Sequence, residues 1–119
     1  LSKELSDVLI ECKDTTFEAH QVILSASSPV FRGMFASDMK EKKSQLVEIK
    51  DFEAQIVSEM LKFIYTGSCV ATEESENPDL DLVSVLLEAS EKYQMMILKN
   101  VCQTMLSSHL EVNNAMKVT

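Results

Sequence analysis

Within "FEAHQVILSASSPVFRGMF", residues 17–35, the hydrophobic period changes once, from a strand's to a helix's, and the helical part is broken at Ser28-Pro29. Phe17 and Ala19 are two apart, which places both on one face of a strand. "HQVILSAS" is short and apolar at Val22, Ile23 and Ala26, the pattern of a small buried helix. Ser28 and Pro29 then mark a helix start, serine as N-cap and proline at the first helical position. Phe31, Met34 and Phe35 follow at i, i+3 and i+4 and share one apolar face. Gly33 costs that helix about 1 kcal/mol relative to alanine, which points to close backbone packing around it. One strand thus feeds two short helices.

Upstream, Val8, Ile10 and Cys12 alternate with Leu9 and Glu11, and "KDT" makes a tight connection, so the first two strands read as a hairpin. Downstream, "LVEIK" pairs Val47 with Ile49 on one face as a third strand. Asp51 is placed to cap a helix from about Glu53 to Thr66, with Ile56, Met60, Phe63 and Ile64 as its stripe. Gly67 suits the left-handed position after its end. "SCVAT" reads as a short edge strand and "EESENPD" as an acidic exposed linker. Two further helices carry Leu82, Val83, Leu86, Leu87, Ser90 and Tyr93, then Ile97, Leu98, Val101, Cys102, Met105 and Leu106. A last helix opens near Val112. The order predicts a mixed α+β domain, a small mixed sheet flanked by helical hairpins.

The 119 residues suffice for one domain that buries roughly two thirds of its unfolded surface. Apolar residues are 45% and charged residues 25%, a globular balance, and no apolar run approaches the ~20 residues of a membrane span. The chain opens on Leu1 without a methionine, as expected of a domain within something longer. A net charge of −8 opposes nucleic acid and anionic membranes and favours partners with a basic face. Cys12, Cys69 and Cys102 are odd in number and far apart, which fits a reducing intracellular setting, nucleus or cytoplasm, better than a disulfide framework.

Motifs of catalysis are missing. There is no G-x-S-x-G, P-loop, H-E-x-x-H or dinucleotide fingerprint, and two glycines make no phosphate cradle. His20 and His109 stand apart. His20, at a strand-to-helix junction, reads as a satisfied structural histidine. Metal ligands are scattered singly, and the carboxylates of "EESE" form a solvated run. No enzyme, metal or cofactor is expected.

"FEAHQVILSASSPVFRGMF" resembles the signature of the BTB/POZ domain. "SDVLIEC" before it, then "LVEIKD", "MLKFIYTG" and "LLEASEKYQMMILKNVC", match the family's remaining segments in order. The resemblance covers residues 1–110, with 111–119 as the start of a truncated helical extension. Within the family it looks most like the speckle-type POZ class, where a substrate-binding MATH domain precedes this module.

That resemblance implies a substrate adaptor of a cullin-RING ubiquitin ligase. Such adaptors carry a hydrophobe, any residue, then glutamate in the loop after the second core helix, and here Met39-Lys40-Glu41 stands at that place. In the family the hydrophobe enters a pocket on the cullin-3 N-terminal domain, a role that unbranched, polarizable methionine fits. Tyr65 and Tyr93 are further candidate cullin contacts, each equally readable as support for the fold. The resemblance also implies a homodimer in the parent protein through the N-terminal segment and first core helix, here Leu1, Leu5, Gln21, Ile23 and Leu24. Substrates would be captured by a neighbouring domain. The alternative class is a transcriptional regulator's BTB module that binds corepressor peptides.

Overall fold

A computed structural model describes residues 4–36 and 45–118, with residues 110–118 as backbone alone. Strand β1 (Val8–Cys12) lies at the centre of a three-stranded sheet of order β2-β1-β3. β2 (Thr15–Ala19) pairs antiparallel with it, from Val8 opposite Ala19 to Cys12 opposite Thr15. Lys13, at φ 55, takes the left-handed place in the connecting turn. β3 (Leu46–Glu48) pairs parallel, Ile10 opposite Val47. The sheet is mixed, as expected.

Alternation puts Val8, Ile10 and Cys12 under helices while Leu9 and Glu11 face out. Val47 and Ile49 join them in the core. Helix α1 (Gln21–Ser27) packs on α2 (Pro29–Met34), and the Ser28 hydroxyl caps α2 by accepting the Phe31 N–H. Phe31 is fully buried and stacks on Tyr93, with ring centroids 4.8 Å apart.

Helix α3 (Ala54–Thr66) buries Ile56, Val57, Met60 and Leu61, a broader face than the single stripe predicted, because α1 and the helix over Leu80–Lys92 both pack on it. Gly67 closes it at φ 78, in the left-handed region as expected. Asp51 is not its cap: Glu53 holds the N-cap place, and the Asp51 carboxylate pairs instead with Lys92.

"SCVAT" is a 3-10 turn, Val70–Thr72, and not an edge strand. The Thr72 hydroxyl accepts the Cys69 N–H at 2.9 Å, and Glu59 Oε1 accepts the Val70 N–H at 2.6 Å. Those side chains satisfy the amides a ladder would otherwise use. Helix α4 (Leu80–Lys92) starts on the Asp79 carboxylate, which accepts the Leu82 N–H. It pairs with α5 (Met96–Val118), which runs on through Val112 where a separate helix was expected. No glycine or proline interrupts that stretch.

Gly33 also departs from expectation: a Cβ there would meet nothing within 4 Å, so no close packing requires it.

Candidate functional site

Met39, Lys40 and Glu41 lie outside the described residues, as does Leu1. The two ends of their segment are described. On one side Phe35 is buried and its N–H donates to Phe31 O at 3.1 Å, with Ala36 N–H donating to Gly33 O. On the other, Gln45 sits at φ 56 and its carbonyl accepts the Leu9 N–H at 3.0 Å, the first rung between β1 and β3. The motif is therefore spliced between two points tied to the core.

The two tyrosines part company. Tyr93 is 2% exposed, its ring against Phe31, so it supports the fold and presents no contact surface. Burial, with the Asp51 carboxylate adding to it, pushes its phenol up to about 12. Tyr65 is half-buried on α3. Its hydroxyl accepts the His20 N–H at 2.9 Å and lies 2.7 Å from His20 Nδ1. Burial is the larger cause of its raised pKa; the His20 N–H pulls the other way and Asp7 adds a smaller rise. His20 is satisfied at every nitrogen, with Nε2 2.7 Å from Glu4 O, as the sequence led us to expect of a structural histidine.

The α1 surface differs from the expected one. Leu24 is 0% exposed and belongs to this domain's own core. Gln21 is buried too, with its side-chain amide donating to Asp7 O and its backbone N–H to Asp7 Oδ1. Both lie on the inward side of α1, Leu24 in the core and Gln21 bonded to Asp7 just ahead of β1. Ile23 is partly buried, while Val22 is 78% exposed and Ala26 is exposed with it, one turn on. The buried reading of Val22 and Ala26 is thus reversed. Leu5, 93% exposed at φ 61, stands on the segment before β1.

Next to Ala26 lies an open groove of about 600 Å³, floored by Phe63, Ile64 and Met95 and rimmed by Met96 and Ile97. Ile97 is 73% exposed rather than part of the α5 stripe. A signal was present: Leu98, Val101, Cys102 and Met105 already complete a helical face without it.

Among the described residues, no group of three His, Cys, Asp or Glu side chains could hold a metal, and no helix is long and apolar enough to cross a membrane. All three cysteines are free and buried. Burial, reinforced by nearby Cys69, pushes the Cys102 thiol up to about 12, unlike a reactive thiolate. Among the described residues, Val22, Met96 and Ile97 are large apolar side chains left exposed, the last two at the rim of an open groove.

The architecture is a small mixed sheet under helical hairpins, with apolar side chains left on its outer faces. The BTB/POZ domain family matches residues 1–110, and the chain belongs to it. It is 39% identical to Kelch-like protein 3 of Bos taurus and of Homo sapiens over 114 residues, 96% of this chain and 18% of those proteins. The chain therefore spans under a fifth of those relatives. They are Kelch-like, so the speckle-type assignment gives way to the broader family. The fold is similar to the BTB domain of zebrafish PATZ1, with TM-score 0.74 and 20% identity, covering 90% of this chain and 80% of that one. It is also similar to the BTB domain of human Gigaxonin, with TM-score 0.66 and 18% identity, covering 83% of this chain and 75% of that one.

Proposed function

We propose that this domain is the non-catalytic docking module of a cullin-3 ubiquitin ligase adaptor. The observation that carries the reading is Met39-Lys40-Glu41, placed within a BTB/POZ chain between α2 and β3, where adaptors of the family carry their cullin motif. Met39 is the anchor, Glu41 shapes or bonds the loop, and Lys40 lies between them as the variable position. Tyr65, half-buried on α3, stays a candidate cullin contact. Tyr93 is withdrawn from the contact set because its side chain is enclosed.

The domain also pairs with a second copy in the parent protein. Leu5, Val22, Ile23 and Ala26 supply an apolar face for that purpose, and Gln21 and Leu24 buttress it from within. Substrates are held by a neighbouring domain outside residues 1–119. Two copies then present two substrate-binding domains, which raises apparent affinity through effective concentration. The setting is intracellular, in nucleus or cytoplasm, with neither nucleic acid nor membrane as partner.

Calorimetric titration of the chain against the cullin-3 N-terminal domain tests the reading. Saturable binding at one cullin per chain is expected. No heat and no co-elution, with binding of a corepressor peptide in its place, would return the domain to the transcriptional class.

A further inference from the structure

The segment before β1 is pinned at several points. Asp7 N–H donates to Ala19 O at 3.0 Å, and Gln21 holds Asp7 through the 2.8 Å and 3.0 Å bonds already described. Further out, Leu5 occupies the left-handed region at φ 61, a conformation costing roughly 1–2 kcal/mol for a residue with a Cβ. Its side chain is 93% exposed, so burial offsets none of that cost. Such a conformation persists only where its surroundings over-determine it. Beyond Leu5 the chain is caught at Glu4, whose carbonyl lies 2.7 Å from His20 Nε2.

For a neutral imidazole the proton inventory around His20 has one solution. A carbonyl oxygen only accepts, so Nε2 carries the ring proton and donates to Glu4 O. In the neutral ring Nδ1 is then an acceptor, and the hydroxyl 2.7 Å away on Tyr65 is its donor. The same oxygen accepts the His20 backbone N–H at 2.9 Å. One hydroxyl on α3 thus grips His20 at ring and backbone together, and the opposite ring nitrogen grips Glu4.

We propose that Tyr65 and His20 form a conformational lock: the α3 hydroxyl fixes the tautomer and orientation of His20, and His20 holds Glu4, imposing the left-handed turn at Leu5. The lock goes beyond cullin recruitment. It couples the α3 surface around Tyr65 to the segment that displays Leu5, with Tyr65 and His20 as positioning residues. A partner that draws the Tyr65 ring away releases the segment, and a partner that orders the segment favours the locked tyrosine, because coupling between two sites is reciprocal.

Nuclear magnetic resonance of the isotope-labelled chain tests this in two ways. Ring nitrogen–proton correlations of the wild type should show His20 protonated on Nε2 with Nδ1 accepting; the opposite tautomer overturns the lock. The Leu5 amide order parameter should be about 0.85, like β1, and should fall below about 0.6 in Tyr65→Phe while Val8–Cys12 are unchanged. Equal Leu5 values in the two proteins, or a wild-type segment already mobile, overturn it as well. Should Tyr65→Phe fail to fold, His20→Gln, whose amide spans no such pair of partners, must loosen Leu5 in the same way. A rigid Leu5 in that variant rejects the proposal.

Discussion

The Ser28 hydroxyl serves two helices at once, accepting the Phe31 N–H at 3.1 Å and donating to Tyr93 O at 2.5 Å. It is fully buried, so no water replaces it. Ser28→Ala should cost about 2 kcal/mol in urea denaturation, combining a lost cap with a stranded carbonyl. A cost under about 0.5 kcal/mol would contradict that double role. Only half of it was legible: the cap spans three residues, whereas the bond to Tyr93 crosses the whole fold. Asp51 makes the same point. Its bond to Lys92, chiefly, holds the carboxyl below the ordinary range, although both side chains are about half exposed. A depressed folded-state pKa stabilises above the unfolded value and is lost as pH falls through the folded one. Asp51→Asn should therefore cost no more than about 0.5 kcal/mol at pH 7, solvent screening included, and nothing once the pH lies below the folded carboxyl's pKa. Thermal melts across pH check this, and a difference that grows in acid would refute it.

At the scale of elements, the backbone carries two conformational mismatches of opposite sign. Gly33 lies inside α2 with open space around it, so Gly33→Ala should stabilise by about 0.5–1 kcal/mol. Gln94 ends α4 at φ 55, with its N–H donating to Glu91 O and the Met95 N–H donating to Ser90 O at 2.8 Å. That is the left-handed helix closure usually given to glycine, and Gln94→Gly should stabilise by a similar amount. Guanidinium midpoints read both changes, and a loss of stability in either would contradict the local geometry. Sequence pattern located α2 through α5 and all three strands because each has a clear period. It misread Val70–Thr72 because the Glu59 and Thr72 side chains, not neighbouring strands, satisfy that backbone. It missed the Gln94 closure because no glycine marks it. It read Val22 as buried because an apolar residue on an exposed helix face has the same composition as one in a core.

For the whole molecule, that face is where the proposed pairing of two copies can be tested. On the proposed assembly, Ile23→Lys should shift any dimer to monomer in light scattering with the fold intact, since a lone charge in an apolar interface is costly and Ile23 lies outside the domain's own core cluster. The same mass before and after, with the fold intact, would remove α1 from the interface. The charge of −8 permits contact with a basic-faced partner and works against nucleic acid. Membership of the BTB/POZ family was legible because several segments agree in order. The narrower speckle-type assignment was not, since the core segments that carry the resemblance are shared across the family.

The role of Met39 decides whether this domain recruits a cullin. Met39→Ala changes an isolated apolar residue in a polar stretch and should alter stability by no more than about 0.5 kcal/mol. Its calorimetric affinity for the cullin-3 N-terminal domain should fall by roughly 2 kcal/mol, about thirtyfold, as at an interface hot spot. Glu41→Ala should also weaken binding, and Lys42→Ala or Lys43→Ala should change it less, since rim charges mainly tune association rate. Unchanged cullin affinity in a folded Met39→Ala protein would contradict the adaptor reading.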